Sequence, residues 1–183
     1  LIGPAMAPIA AITSLTVYPG GGPREVGISF GDPTAGISTA VAICAALIAR
    51  AHTGRGQHID VSLWEATSAI VTEGWMEYAM NGAEPPRIGN RDPWMSPHGC
   101  FRCAGEERWV TIACADDAEW SALAGVIGPE LAQDPRFRSA SDRKANEGEL
   151  EERISSWTRA RDPWEVTLVL QAVGVAAFPS LCP

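Results

Sequence analysis

One carboxylate in this chain stands where it could do chemistry. In Gly31-Asp32-Pro33-Thr34-Ala35-Gly36, Asp32 immediately precedes a proline that opens a long apolar run. Proline suits the first turn of a helix, where its missing N–H has no intrahelical acceptor to satisfy. Asp32 is therefore expected at a helix mouth, where unpaired N–H groups favour an ionised carboxylate. An ionised carboxylate can attack a thioester carbonyl and form a mixed anhydride. Asp32 also has a plainer explanation, since aspartate is among the commonest helix N-caps.

Three further residues could hold an anionic or acyl ligand. Arg55, in Thr53-Gly54-Arg55-Gly56, either binds phosphate or sits as a charge on a surface turn. Gly89 and His98 flank the loop running from Ile88-Gly89-Asn90-Arg91 to Ser96-Pro97-His98-Gly99. His98 either contacts an acyl carboxylate or caps a strand. His52 reads as a helix-end cation and His58 as an exposed strand residue. The glycine run Gly20-Gly21-Gly22 would cradle phosphate only between a strand and a helix, and Pro23-Arg24 follow it, so it reads as a turn. Cys100 and Cys103 have the two-residue gap of a metal knuckle. No second Cys or His pair follows, and residues three apart on a strand face opposite ways. No metal site is expected.

The elements that must position these residues follow from periodicity. Pro33 to Thr53 reads as a helix stopped by Gly54, with Arg50 and His52 favourably placed in its last turn. Its stretch Ala40–Ala49 is apolar on all sides and is expected to be buried on all sides, in the middle of a layered α/β core. That stretch is too short, and too rich in small and hydroxylic residues, for a membrane span. Gln57 to Leu63 alternates polar and apolar residues like a half-buried strand, and Trp64 to Asn81 returns to helical spacing. Residues 83–97 are loop, punctuated by Pro85-Pro86 and Asp92-Pro93. Gly99–Cys103 and Trp109–Cys114 read as a hairpin, and Asp116-Asp117 begins a helix through Trp120, Leu123 and Val126 to Gly128. Helices are expected over Glu147–Arg159 and Pro163–Ala172, and a short strand over Gly174–Phe178. The organisation changes near residue 83. Residues 1–82 form the end of a large helix-rich domain, 83–97 a linker that could line a cleft, and 98–183 a small α+β domain.

The 183 residues, 46% hydrophobic and 20% charged, describe a globular protein with enough apolar side chains for a core. A net charge of −8 argues against nucleic-acid or anionic-membrane partners. It leaves room for an anionic small molecule met by local cations. Five cysteines, Cys44, Cys100, Cys103, Cys114 and Cys182, form an odd set and read as reduced thiols of a cytoplasmic protein. The chain starts at Leu1 with no signal-peptide pattern and stops just after a strand-like run, so it is expected to be a piece of a longer protein.

Three segments taken in order resemble one family. They are Gly31-Asp32-Pro33-Thr34-Ala35-Gly36, then Thr53-Gly54-Arg55-Gly56-Gln57 through Trp64-Glu65-Ala66, then Ser96-Pro97-His98-Gly99 running into Trp109-Val110-Thr111-Ile112-Ala113. This order is similar to the class III CoA-transferases (the CaiB/BaiF type, which includes formyl-CoA and carnitine CoA-transferases). The resemblance implies an α/β fold: part of a Rossmann-like large domain followed by a small α+β domain. It implies transfer of CoA between an acyl-CoA thioester and a free carboxylic acid, with CoA thioester as substrate and no tightly bound cofactor. It further implies an aspartyl nucleophile at Asp32, and a homodimer interlocked like two links of a chain. The family's N-terminal half, which supplies most CoA contacts, precedes Leu1, so the isolated chain is expected to be inactive or one component of a split enzyme. A mobile glycine-rich loop covers the site in relatives, whereas this sequence has only Gly89 and Gly99 there. The α-methylacyl-CoA racemases share the fold and the Asp32 region. They carry a further glutamate where this chain has Arg102, which places the racemase second to the transferase.

Overall fold

The computed structural model describes residues 12–24 and 30–181. It divides into two compact units, Leu1–Gly89 and Asn90–Pro183, a division that falls within residues 83–97. Cys182 and the start of the apolar run at 9–17 lie outside the described residues.

The first unit is helical. After a short helix α1 (Ile12–Leu15) comes α2 (Gly31–Thr53), then α3 (Leu63–Ser68), a 3-10 turn (Ala69–Val71) and α4 (Thr72–Asn81). Gly54 stops α2 in the left-handed region (φ 72°), its N–H bonding to the Arg50 carbonyl, and Gly82 stops α4 the same way. Both are C-terminal stops that only glycine adopts at little cost. Ser62 caps α3 by accepting from the Glu65 N–H. The first turn of α2 packs on α3, because Gly31 has no Cβ: one added there would lie 3.0 Å from the Thr67 hydroxyl.

Three expectations are corrected in this unit. Residues 57–62 carry the alternation of a strand but form no ladder among the described residues. Alternation matches a strand's two faces but supplies no neighbour to bond with. The helix expected from Trp64 to Asn81 is interrupted at Ala69–Val71. The helix α2 is not buried on all sides; Ala35 is its one buried residue, while Ile37, Val41, Leu47 and Ile48 are exposed. With 23 residues and an 18-residue window of mean hydropathy 1.6, α2 is also long and apolar enough to cross a membrane by length and composition. The shortness of Ala40–Ala49 therefore excludes nothing. Its hydroxyls are satisfied internally, Thr34, Ser38, Thr39 and Thr53 each donating to the carbonyl four residues back.

The second unit builds a core around a three-stranded antiparallel sheet in the order β1 (His98–Arg102), β2 (Trp109–Ala113), β3 (Ala176–Pro179). His98 pairs with Ala113 and Arg102 with Trp109, while Val110 pairs with Pro179 and Ala113 with Ala176. This register puts Phe101, Val110, Ile112 and Ala177 on one buried face, as the period-2 alternation requires. Against it lie α5 (Asp117–Ile127), α8 (Glu147–Thr158) and α9 (Pro163–Gln171). Their buried stripes, Trp120, Leu123 and Ala124, then Leu150 and Ile154, then Val166 and Leu170, fill the core. Between α5 and α8 come α6 (Pro129–Ala132), a 3-10 turn (Pro135–Phe137) and α7 (Ala140–Ala145). Side chains cap these helices: Asp116 opens α5, Asp162 with Pro163 opens α9, and Ser139 with Asp142 forms a reciprocal capping box on α7, a helix not expected from the sequence. A helix-rich first unit followed by a small α+β unit is the fold class expected from the sequence.

Candidate active site

Asp32 is the second residue of α2 and is exposed. The N-cap is Phe30, in helical backbone conformation with no side-chain cap bond. The helix thus starts two residues earlier than Pro33, and Asp32 lies inside the first turn instead of capping it. The structural explanation for an Asp-Pro pair, a capping bond, is not in use here. Among the described residues no hydrogen bond or ion pair engages the Asp32 carboxylate. It sits where the first-turn N–H groups lack intrahelical acceptors and the helix dipole favours negative charge. At Gly31 the turn passes close to Thr67, so that an added Cβ would crowd the Thr67 hydroxyl. Thr67 is fully buried, and its hydroxyl donates to the Leu63 carbonyl at 2.7 Å.

Within the first unit Arg55 is not brought to Asp32. The two residues lie at opposite ends of a 23-residue helix, a span of roughly 33 Å at 1.5 Å per residue. Arg55 is exposed, and its backbone N–H donates to the Thr53 hydroxyl at 3.3 Å. Gly89 adopts φ +64°, and its N–H donates to the Val17 carbonyl at 3.2 Å. A Cβ there would meet the Tyr18 ring at 2.7 Å. Gly89 is therefore a packed turn residue, required by backbone conformation and by close approach.

His98 begins β1 in the second unit, and its Nδ1 lies 2.6 Å from the Asn90 carbonyl oxygen. A carbonyl only accepts, so Nδ1–H is the donor in this bond and Nε2 is not engaged by it. The capping bond is present, and one ring nitrogen remains for a ligand. The segment before His98 is tightly held. Asp92 accepts from the N–H groups of Trp94 and Met95 at 2.7 and 2.8 Å, and Lys144 donates to the Asp92 carbonyl at 2.7 Å. Burial alone would push the Asp92 carboxyl up, but the amides of Met95 and Trp94 outweigh it and hold the group below the usual carboxylate range. Arg91 forks onto both carboxylate oxygens of Glu151 at 2.7 Å, the bidentate geometry that makes such pairs strong. This is a clamped turn and not a glycine-rich lid.

Two features went unnoticed in the sequence. An open groove of about 580 Å³ lies on α3 and α4, lined by Trp64, Ala69, Trp75 and Met76, with Glu65 at its wall. Its signal was there in the helical spacing of Trp64, Ser68, Thr72 and Trp75, but spacing does not say which face stays open. The other is Arg143, buried in the second unit. Among the described residues no group of three or more metal-ligating side chains is found. Burial pushes the Cys103 thiol up to about 11 and the Cys114 thiol up to about 12, so neither is a nucleophile near neutral pH.

The sequence as a whole matches the family model of CoA-transferase family III over residues 2–181. The chain belongs to that family. It is 36% identical over 175 residues to the acetyl-CoA:oxalate CoA-transferase of Acetobacter aceti, covering 94% of this chain and 44% of that protein. It is 33% identical over 177 residues to the succinyl-CoA–D-citramalate CoA-transferase of Chloroflexus aurantiacus, covering 96% and 43%. Among solved structures, a CaiB/BaiF family protein from Brucella suis superposes with a TM-score of 0.87 at 32% identity, over 97% of this chain and 47% of that one. The chain thus spans less than half the length of the curated relatives it matches. As a class III family member it is similar to enzymes named for moving CoA between thioesters and carboxylates.

Proposed function

We propose that this chain supplies the aspartyl nucleophile of an acyl-CoA:carboxylate CoA-transferase, with Asp32 in that role. The observation that carries the reading is the uncapped, exposed carboxylate in the first turn of α2, within a chain that belongs to CoA-transferase family III. The Asp32 carboxylate attacks the thioester carbonyl of the donor, forming an acyl–aspartyl anhydride and expelling CoA thiolate. The thiolate then attacks the Asp32 carbonyl, releasing the donor acid and leaving an aspartyl–CoA thioester. The acceptor carboxylate attacks that thioester and again expels the thiolate, which finally takes the acceptor acyl group and returns Asp32 as carboxylate. No redox partner is needed, and each step exchanges one acyl bond for another. In this reading Arg55 offers its guanidinium to a CoA phosphate, Gly89 shapes the turn leading into the loop, and His98 contacts the acyl carboxylate. The apolar side chains that α2 leaves exposed support a homodimer, and the reduced thiols fit the cytoplasm.

The test incubates the natural full-length protein with succinyl-CoA and hydroxylamine, followed by peptide mass analysis. A hydroxamate at Asp32, absent in Asp32→Ala together with turnover, supports the reading. Undiminished transfer by Asp32→Ala refutes it. Deuterium exchange at the substrate α-carbon without an Asp32 adduct would establish the racemase chemistry instead.

A further inference from the structure

Arg143 is 1% exposed, and its guanidinium serves three separate pieces of the second unit. Nε donates to the Ser96 carbonyl at 2.8 Å, Nη1 to the Phe137 carbonyl at 3.4 Å, and Nη2 to the Asp117 carboxylate at 2.7 Å. The group also lies 5.1 Å from the Trp120 ring centre. A buried guanidinium is costly, and an apolar side chain of like volume often serves a core as well or better. What an apolar residue cannot do is hold backbone carbonyls at fixed points. Ser96 is itself buried, and among the described residues its hydroxyl has no partner, so what ties it to a side chain is the bond Arg143 makes to its carbonyl.

The adjacent Lys144 holds the Asp92 carbonyl, and Arg91 holds Glu151. So one turn of α7 grips both ends of residues 92–96, a stretch without helix or strand of its own. That stretch carries Trp94, 84% exposed, and leads directly into His98. A large indole displayed on a stiff turn loses little conformational freedom when a ligand covers it.

We infer that Arg143 is a positioning residue: through the Ser96 carbonyl it fixes residues 92–98, and so sets how tightly the carboxylate substrate that accepts CoA is held. This rests on the CoA-transferase reading, in which His98 meets the acyl carboxylate. Arg143 is 1% exposed, so it would act on a ligand only through the groups it holds. In the natural full-length protein, Arg143→Met is expected to speed amide hydrogen exchange across 92–97 by about tenfold or more. It should raise KM for the carboxylate acceptor by about tenfold while kcat moves by less than about twofold. Arg143→Lys, which keeps one donor, falls between. Ser96→Ala leaves both readouts unchanged, because the bond goes to the backbone carbonyl. Should Arg143→Met not fold, Lys144→Met releases the Asp92 end from a half-buried position with the same two readouts. Unchanged exchange at 92–97 in either folded variant overturns the clamp. Faster exchange with an unaltered KM overturns its link to the substrate. Absence of an Asp32 hydroxamate would sink the transferase reading, and the kinetic half of this inference with it, whereas exchange judges the clamp alone.

Discussion

Gly31→Ala is the smallest change that tests how the Asp32 turn is held. The added Cβ would lie 3.0 Å from the Thr67 hydroxyl oxygen and 4.0 Å from its methyl carbon, tighter than an ordinary van der Waals contact. Relief by rotating Thr67 is blocked, because that side chain is fully buried and its hydroxyl is committed to the Leu63 carbonyl. Overpacking of this kind costs about 1–3 kcal/mol. Replacing glycine in a helix returns at most about 1 kcal/mol, and less at the first helical position. The net expectation is a loss of about 1 kcal/mol, with α2 displaced from α3 by a few tenths of an ångström. Urea denaturation of Gly31→Ala, Thr67→Ala and the double variant forms a closed cycle. Since Thr67→Ala removes the atom that clashes, the double variant should recover the loss, giving a coupling of about 1 kcal/mol. Yield of the Asp32 hydroxamate should fall in Gly31→Ala and return in the double variant. A Gly31→Ala protein as stable as the parent, with no coupling to Thr67, would show that this contact does not set the turn.

Two further expectations concern the second unit. Burial raises the Cys103 and Cys114 thiols to about 11 and about 12, above an unfolded value of about 8.5. The folded state therefore keeps protons that the unfolded chain releases, so stability is complete below about pH 8.5 and is lost as pH rises through the folded values. Denaturant midpoints measured from pH 8 upward should show that decline, and it should flatten in a Cys103→Ala, Cys114→Ala variant. A midpoint that does not change across that range contradicts the burial. Phe137 is fully buried and meets Trp120 edge-to-face at 6.2 Å. Phe137→Ala should cost about 3–5 kcal/mol in urea denaturation, and a loss under about 1 kcal/mol would mean that the site collapses around the gap.

How much of this could be read from the chain depends on how local each signal is. The helices α5 and α9 were legible because Asp116, Asp162 and Pro163 act within one turn of themselves, and the β1–β2 hairpin because its two strands are neighbours in sequence. Helix α7 was missed although its capping-box residues, Ser139 and Asp142, stand at the standard spacing. Residues 57–62 show the opposite failure: the alternation is real, but a strand exists only with a partner. For α2 the apolar composition was read correctly and its burial was not, since burial belongs to whatever surrounds a helix. Arg143 was invisible for a related reason. In Asp142-Arg143-Lys144 it looks like one of two surface cations, and its acceptors at Ser96 and Asp117 lie 47 and 26 residues away. Asp32 itself was legible, but its exact station was not. Only the structure shows that Phe30 takes the N-cap and leaves the Asp32 carboxylate without a capping task.

That station bears on the chemistry proposed for it. An acyl–aspartyl anhydride is open to attack by water as well as by CoA thiolate, and an enzyme that transfers instead of hydrolysing must exclude water while the anhydride exists. In this chain Asp32 is exposed in the first turn of α2. The helix N-terminus is a favourable place for an anion, but it cannot shield the product of the carboxylate's attack. Activation and protection are therefore separable demands on the same residue. In the proposed mechanism the first falls to the N-terminus of α2. The second calls for a cover that excludes water from this turn during the covalent steps.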